Sequence, residues 1–356
     1  MTWIKTAFTD RLGIELPIVQ APMGGGISTP ALAAAVSQAG GFGSLALAYV
    51  APEAIAGEVA AVRSQTNRPF AANLFIYEPG TPTAEQLRRA RDLLAPIRSE
   101  LGLAEEPDGS PPVRYNLDDQ IAAVLDAGPA VFSFTFGVPK AGVLAECRRR
   151  GILAMGTATS LAEGLALADA GVDMILAQGS EAGGHRGTFL HDFDEGMVGT
   201  FALTRQIAAR VDRPVVAAGG IMDGRGVVAA LTLGASAAAL GTAFMLCPEA
   251  GTNVPHRRML KSPQAANTAV TRAFSGRPAR AIVNDQIRAA KSKERDLPPF
   301  PVMIDLTRDI RAAATRLDRP DYIPLWAGQG AALARELPAA ELVRALAAEV
   351  GAVLPA

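Results

Sequence analysis

The residues best suited to chemistry follow an uncharged segment near the middle of the chain. Residues 172–188 read VDMILAQGSEAGGHRGT, so an apolar run ends in Gln178, several glycines and His185. Such a run predicts a buried strand of a parallel sheet, and α/β enzymes place their active sites where these strands end. Because an imidazole exchanges protons near neutral pH, we predict an enzyme with His185 as its catalytic residue.

Amide side chains end two of the predicted strands, Asn73 the third and Gln178 the sixth. An amide offers both a hydrogen-bond donor and an acceptor, which suits the oxygen and N–H groups along the pyrimidine edge of a flavin. Taken alone, either residue is equally compatible with a structural turn.

Two further predicted strands end in glycine, PVVAAGG at 214–220 and ALGTAF at 239–244. In barrels the loops after the seventh and eighth strands commonly bind phosphate, because glycines let main-chain N–H groups approach its oxygens. A helix that begins after Asp223 would add the positive end of its dipole, and the Thr242 hydroxyl offers one more donor. The paired glycine-rich ends favour a phosphate site over plain tight turns.

The first predicted strand ends QAPMGGG, at residues 20–26. Its glycines permit a planar ligand to approach the backbone, and the Met23 thioether can pack beside an aromatic ring. A tight turn with a core methionine is the alternative.

Residue types that other barrel enzymes need are missing from the predicted strand ends. None of the five lysines follows a strand directly, which argues against Schiff-base chemistry. The strands end in Gly, Asn, Gln, Thr or Phe rather than in metal ligands, and no G-x-G-x-x-G follows the first strand. Phosphate, amides and one histidine favour a barrel that binds FMN and no metal. We expect structural roles for His191 and His256.

The elements that must position these residues alternate between short apolar runs and helical stretches. Eight strands are predicted, at Ile18–Ala21, Phe42–Leu47, Phe70–Leu74, Val131–Phe134, Ile152–Met155, Asp173–Ala177, Pro214–Ala218 and Ala237–Leu240. Helices are predicted between most of them, which implies right-handed β/α units and a parallel sheet. Eight such units predict a TIM (β/α)8 barrel; an open doubly wound sheet is the alternative.

Two segments do not fit the repeat. Residues 78–120 form an insertion after the third strand, with a helix at Ala84–Glu100 and a linker at 106–112. After Cys247 follows a tail that reads as mostly helical. We therefore predict a barrel at 1–246 that includes the insertion, and a helical extension at 247–356 that packs at the barrel mouth.

The charge and the hydropathy of the sequence argue against nucleic acid and membranes as binding partners. The net charge is −1 and arginines are interspersed with acids, so no basic patch indicates nucleic acid. The N-terminus lacks an apolar signal-peptide core, and the apolar runs are too short to span a membrane. We expect a cytoplasmic protein whose two cysteines are buried thiols; monomer and homodimer both stay open.

Taken together, the motifs resemble those of the nitronate monooxygenase family. The resemblance extends from about residue 12 to 331 and rests on QAPMGGG at 20–26, AANLF at 71–75, QGSEAGGHRG at 178–187, AAGGI at 217–221 and LGTAF at 240–244. PLWAGQ at 324–329 is similar to the C-terminal motif of the class I branch.

The resemblance implies an FMN-dependent, metal-free barrel that oxidises alkyl nitronates with O₂ to a carbonyl compound and nitrite. Propionate 3-nitronate and some neutral nitroalkanes are implied as substrates. His185 matches the catalytic histidine, which takes the proton of a neutral nitroalkane or polarises the nitronate. The positions that match FMN-binding residues are Met23, Gly24, Asn73, Gln178, Gly183, Gly184, Gly219, Gly220, Ala239, Leu240, Gly241 and Thr242.

The chain departs from the family pattern at one substrate position and one FMN-binding position, and other functions stay open. Thr135 stands where many relatives have a histidine, and Ala239 where a glutamine is common. Thr135 and Tyr322 are predicted to contact substrate. An FMN-dependent NAD(P)H:quinone or enoyl reductase and a non-catalytic flavin-binding module are the alternatives.

Overall fold

The main feature of the fold is a parallel barrel of eight strands. The computed structural model describes residues 3–105 and 115–354, so the predicted linker at 106–112 lies outside the described residues. The barrel strands are β1 (Ile18–Gln20), β2 (Gly43–Ala46), β3 (Phe70–Phe75), β4 (Val131–Thr135), β5 (Leu153–Ala158), β6 (Met174–Gln178), β8 (Val215–Ala218) and β9 (Ala237–Leu240). Between β6 and β8 lies β7 (Gly184–His185), which belongs to a second sheet.

The strand order closes the sheet on itself. The strands run β1-β9-β8-β6-β5-β4-β3-β2, and every pair is parallel. A bridge between Val19 and Phe42 joins the two ends, with Gln20 N–H donating to the Phe42 carbonyl at 2.9 Å. This confirms the TIM barrel and removes the open-sheet alternative, because an open sheet leaves its two edge strands unpaired.

Helices cover the outside of the barrel. They are α2 (Pro30–Gln38), α3 (Pro52–Arg63), α5 (Leu117–Ala127), α6 (Ala141–Arg150), α7 (Leu161–Ala170), α8 (Thr200–Ala208) and α9 (Gly224–Thr232), while α1 (Ala7–Leu12) precedes the first strand. Most have polar N-caps that satisfy the free N–H groups of the first turn; Ser160, for example, accepts from Glu163 N–H at the start of α7.

The last helix of the chain completes the ring. This helix, α14 (Ala339–Val353), packs against α2 and α9, and its Leu342, Leu346 and Val350 share a buried cluster with Leu32 of α2 and Val227 of α9. The division of the chain at residue 247 stays a prediction, but α14 packs as the eighth outer helix rather than at the barrel mouth.

The insertion and the rest of the extension pack together over one end of the barrel. The insertion helix α4 (Ala84–Glu100) shares a buried cluster with the extension, which holds α10 (Val254–Leu260), α11 (Asp285–Ala290), α12 (Val302–Leu306) and α13 (Arg308–Arg316). The Arg98 guanidinium, only 4% exposed, joins α4 to the carboxylate of Asp309 at 2.6 Å. Among the described residues no helix is both long enough and apolar enough to cross a bilayer.

The extension also contributes a sheet that the sequence analysis missed. Strands β10 (Thr268–Thr271) and β11 (Ala279–Ile282) pair antiparallel, and β11 pairs with β7. Four-residue strands are too short to show a clear alternating pattern, which is why the tail read as helical. The register places Ala279 opposite His185, so the extension fixes the backbone of the predicted catalytic residue.

Candidate active site

A cavity of about 580 Å³ lies at the carboxyl ends of the barrel strands. It brings together 13 of the 15 residues that the sequence analysis assigned to the site: Met23, Gly24, Asn73, Thr135, Gln178, Gly183, Gly184, His185, Gly219, Gly220, Ala239, Gly241 and Thr242. Their individual roles stay predictions, but they share one space because the carboxyl ends of parallel strands all lie at the same end of a barrel.

Two predicted residues lie elsewhere. The Leu240 side chain is buried in the cluster beneath α2 and α9 rather than in the cavity. Tyr322, expected at the substrate, is buried between the extension and α4, and its hydroxyl donates to the Glu100 carboxylate. The sequence shows that Tyr322 lies near the PLWAGQ motif, but it cannot show that the Tyr322 hydroxyl is hydrogen-bonded to a residue of α4.

His185 lies in an aromatic enclosure at the cavity wall. Its ring centroid is 5.4 Å from that of Trp326, 5.6 Å from Phe300, 5.8 Å from Phe136 and 5.9 Å from Phe75. Burial, with a smaller effect of the Arg277 charge, lowers the pKa of His185 to about 3. The imidazole is therefore neutral throughout the physiological range.

The amide of Gln178 holds the loop that carries His185. Its Nε2 donates to the His185 carbonyl at 2.9 Å, and its Oε1 accepts from Gly187 N–H at 2.8 Å. Both ends of the amide thus bind the loop, which favours the structural role over contact with a flavin edge.

The amide of Asn73 has one end free. Its Nδ2 donates to Ser133 Oγ at 3.0 Å, while its Oδ1 makes no hydrogen bond with any described residue.

A buried carboxylate that the sequence analysis missed anchors the same loop further on. Glu163 of α7 is fully buried and accepts from the N–H groups of Thr159, Phe189 and Leu190 and from the Thr159 hydroxyl. A glutamate in the first turn of a helix ordinarily reads as a surface group near the helix dipole, so the sequence offers no signal for this role.

The glycine-rich strand ends present unpaired donors. In the described part of the chain, the main-chain N–H groups of Gly220, Gly241 and Thr242 donate no hydrogen bond, and all three residues line the cavity. The Thr242 hydroxyl accepts from Gly328 N–H at 3.0 Å, which leaves its own proton for a ligand. Unpaired main-chain N–H groups of this kind are the donors that bind anions in other proteins.

Two N–H groups in the first turn of α9 already have acceptors. Gly224 N–H donates to Glu349 and Gly226 N–H to Asp223, and Glu349 comes from α14, which sequence order alone does not bring there. The contribution of this helix to a phosphate site stays a prediction.

The PLWAGQ segment closes one side of the cavity. Gly183 and Gly328 meet with no room for a side chain, since a Cβ on Gly183 would lie 2.5 Å from Gly328 N. Glu181 accepts from Gln329 N–H at 2.9 Å through its carbonyl. The two motifs therefore act as one structural unit although 140 or so residues separate them in the chain.

Charged and phenolic side chains also line the cavity, and the Asp305 carboxylate is among them. They include Tyr49, Tyr77, Arg308 and Arg311, and none of these was identified from the sequence. Arg308 pairs with Asp305 at 2.8 Å. Arg311 instead donates to two main-chain carbonyls, no salt bridge joins it to a carboxylate among the described residues, and burial lowers its pKa.

A second imidazole also lines the cavity. His256 is 2% exposed and its Nε2 has no hydrogen-bond partner, although the sequence analysis gave it only a structural role. Burial lowers the pKa of His256 to about 4. The Thr135 hydroxyl, predicted to contact substrate, lies 3.2 Å from that of Thr157. Residues 3–105 and 115–354 contain no group of three metal-ligating side chains.

A closed parallel barrel, unpaired N–H donors on its last two strand ends and a neutral histidine facing the same cavity are typical of barrel enzymes. Comparisons with known proteins identify which kind.

The nitronate monooxygenase family model matches residues 5–349. A nitronate monooxygenase of Pseudomonas aeruginosa is 46% identical, covering 96% of this chain and 98% of that protein; one from Paraburkholderia phytofirmans is 43% identical, covering 97% and 95%. The solved nitroalkane oxidase of Streptomyces ansochromogenes superposes with a TM-score of 0.90 at 42% identity over 98% of both chains. FabK from Thermotoga maritima superposes with 0.77 at 26% identity, covering 98% and 97%.

The chain belongs to the nitronate monooxygenase family, which confirms the family predicted from the motifs. It is an oxidoreductase of that family, and the family is flavin-dependent in general.

Proposed function

We propose that the protein binds FMN across the barrel mouth and oxidises alkyl nitronates with O₂ to a carbonyl compound and nitrite. The observation that carries this proposal is the convergence of unpaired N–H donors and a neutral histidine in one cavity. The 46% identical relative named nitronate monooxygenase supports the reaction.

The cavity fits the proposed cofactor. The N–H groups of Gly220, Gly241 and Thr242 would hold the phosphate, since each lacks an acceptor in the described chain. Gly184 has a φ of +72° and a Cβ there would meet nothing within 4 Å, so the backbone leaves space for a planar ring. When bound, FMN would supply the redox chemistry, taking electrons from the nitronate and passing them to O₂.

His185 would handle the substrate proton. A preformed nitronate has already lost its α-proton, whereas a neutral nitroalkane must transfer one to a base. Because the imidazole is neutral and buried, it can accept that proton, but burial and Arg277 both oppose the charge that results. The site therefore favours nitronates over neutral nitroalkanes.

The arginines of the cavity wall support a substrate with a second anionic group, such as propionate 3-nitronate. Arg311 gives its hydrogen bonds to main-chain carbonyls, and the carboxylate of Asp305, which pairs with Arg308, offsets part of its charge. A guanidinium binds a carboxylate through parallel N–H···O bonds, and Tyr49 lines the same cavity.

The alternative function is an FMN-dependent reductase. The enoyl reductase domain of MlnA from Bacillus amyloliquefaciens superposes with a TM-score of 0.63 at 12% identity, which shows a shared fold alone. Anaerobic mixing with NADH discriminates between the two. Rapid bleaching of the flavin would favour the reductase, and a flavin that stays oxidised would favour the monooxygenase.

The proposal is tested first on the purified protein. We expect a flavin absorbance spectrum, a released cofactor with the mass of FMN, and oxygen uptake with ethylnitronate that yields nitrite. A colourless protein, or a yellow protein that is inert to nitronates, would contradict the proposal.

We also propose a cytoplasmic location. Cys147 and Cys247 are buried free thiols, and reducing compartments preserve free thiols.

A further inference from the structure

The hydroxyl of Ser275 connects His185 to a turn of the C-terminal extension. Its Oγ lies 2.9 Å from His185 Nε2, 3.0 Å from the Arg277 carbonyl oxygen and 3.3 Å from Arg277 N. Ser275 is 1% exposed and lines the active-site cavity. Three partners around one hydroxyl leave few ways to place its single proton.

The chemistry of the three partners decides where that proton goes. A carbonyl oxygen only accepts and a main-chain N–H only donates. Two oxygens 3.0 Å apart are stable when a proton lies between them, so the Ser275 hydroxyl donates to the Arg277 carbonyl. It then accepts from Arg277 N–H, and its remaining lone pair faces His185 Nε2. That nitrogen must therefore carry the proton.

We propose that Ser275 is a positioning residue that fixes His185 as the Nε2–H tautomer and leaves Nδ1 as the proton acceptor of the site. Nδ1 makes no hydrogen bond with any described residue, and it is not among the buried polar atoms that lack a partner. It is thus accessible from the cavity. The role of this nitrogen in the reaction rests on the proposed function; the tautomer itself does not.

The turn that carries Ser275 is closely packed against its surroundings. Gly276 has a φ of +81°, and a Cβ there would lie 2.4 Å from the Pro298 carbonyl oxygen. The Arg277 guanidinium lies 3.8 Å above the centre of the Phe136 ring and donates to the Thr188 carbonyl. These contacts hold the carbonyl that receives the Ser275 proton.

The proposed step balances without a further reactant. The α-C–H bond of a neutral nitroalkane breaks, its electron pair remains on the carbon and spreads into the nitro group, and the proton forms a bond to His185 Nδ1. Nε2 keeps its own proton throughout and donates it in a hydrogen bond to Ser275 Oγ. The opposite tautomer would point an N–H at the substrate carbon and could not accept a proton.

The test reads the tautomer directly from the ¹⁵N NMR spectrum of histidine-labelled holoenzyme. The chain has three histidines, so the spectrum of His185→Asn assigns the His185 signals by their loss. We expect Nε2 at the position of a protonated ring nitrogen and Nδ1 at that of an unprotonated one. The reverse pattern would overturn the proposal.

Substitution of the serine tests its role. In Ser275→Ala we expect the His185 signals to move toward a mixture of tautomers, with kcat/KM for neutral nitroethane lowered by on the order of tenfold and ethylnitronate turnover changed much less. The matched control is Ser262→Ala. That hydroxyl also donates to a main-chain carbonyl and accepts a main-chain N–H, but it touches no histidine.

The outcomes separate the two proposals. Unchanged His185 signals in Ser275→Ala, or equal losses on both substrates, would leave Ser275 a merely structural residue. If the wild-type enzyme does not turn over nitroethane, the base role of His185 falls while the NMR result still decides the tautomer. Should Ser275→Ala fail to fold, Ser275→Thr is the second variant. It keeps the hydroxyl, so the proposal requires that it also keep the wild-type His185 signals. The wild-type spectrum decides the tautomer of His185 by itself.

Discussion

At the scale of single residues, the cavity holds a neutral imidazole and a half-buried guanidinium with different proposed roles. His185 is kept neutral by its aromatic surroundings, while the hydrogen bonds of Arg311 go to carbonyl oxygens. In the proposed function His185 accepts the α-proton of a neutral nitroalkane, and Arg311 binds a carboxylate elsewhere on the substrate. Separate substitutions can therefore test the two roles independently.

His185→Asn removes the proton acceptor and keeps a polar group of smaller size. We expect turnover of neutral nitroethane to fall by about 10²–10⁴-fold, while flavin absorbance and much of the ethylnitronate turnover remain. Oxygen uptake on the two substrates measures this, with the surface change His191→Asn as control. Unchanged nitroethane turnover would remove His185 from the reaction.

Arg311→Met removes the cation and keeps an unbranched side chain. A lost charge-assisted hydrogen bond costs about 1.5–3 kcal/mol, so we expect KM for propionate 3-nitronate to rise by about 10–100-fold with little change for ethylnitronate. Arg316→Met, on the exposed face of the same helix, is the matched control. An equal rise for both substrates would show that Arg311 does not read the carboxylate.

At the scale of elements, the loop between β6 and α8 is held from three sides. The Gln178 amide binds it from the end of β6, Glu163 binds it from α7, and β11 pairs with it in the second sheet. None of these contacts involves neighbours in sequence, apart from Gln178. A loop that carries a reacting group is ordinarily mobile, and this one is fixed by elements on both sides of it.

Glu163→Gln tests the anchor from α7. One carboxylate oxygen becomes an NH₂ group that faces N–H donors, so buried hydrogen bonds are lost and we expect unfolding free energy to fall by about 2–4 kcal/mol. Urea unfolding measures it, with Glu53→Gln on the exposed face of α3 as control. No loss of stability would mean that the loop donors find other acceptors.

Gly183→Ala tests the contact between the two motifs. The added Cβ would lie 2.5 Å from Gly328 N and 2.6 Å from the Ala327 carbonyl carbon, and backbone cannot move aside as a side chain can. We expect a loss of about 1–3 kcal/mol in unfolding free energy and weaker flavin retention on dialysis. Gly57→Ala, in an open helical position, is the control and should stabilise slightly. Full flavin retention would argue against the contact.

At the scale of the whole molecule, the barrel and the extension share their buried interior. The clusters beneath α14 and around α4 both contain residues from widely separated parts of the chain, and two buried histidines lie where these parts meet the cavity. Burial keeps both histidines neutral in the folded protein, so folding is linked to pH.

Stability is expected to fall on acidification. An unfolded histidine binds a proton near pH 6.5, whereas His256 and His185 in the folded protein do so only near pH 4 and pH 3. Between these values the unfolded chain holds more protons, so stability present above pH 6.5 is lost as the pH falls, by up to about 1.4 kcal/mol per pH unit for each histidine.

Unfolding by urea at several pH values measures this slope. His256→Leu removes one of the two groups and should reduce the slope by about half, while His191→Gln on the surface should leave most of it. A slope unaffected by His256→Leu would show that this histidine protonates in the folded state.

The sequence by itself determined the eight strands, the parallel sheet and the residues at the strand ends, because the alternation of apolar strand and amphipathic helix is local; closure of the sheet was settled by the pairing of its first two strands. Through the same local pattern the sequence found Asn73, the paired glycines and His185. Each follows a strand whose carboxyl end must lie at the barrel mouth, so its neighbours in the site follow from topology alone.

Only the tertiary structure decided which of these groups are free to act. The Gln178 amide is taken up by the loop that follows it. One first-turn donor of α9 is bound by Glu349 from the end of the chain, and Tyr322 gives its hydroxyl to α4. Arg311, His256 and Ser275 reach the cavity through an extension whose path no local pattern reveals. Hydrogen-bond satisfaction and burial depend on every element packed around a group, whereas the periodicity that builds a strand depends on a few consecutive residues.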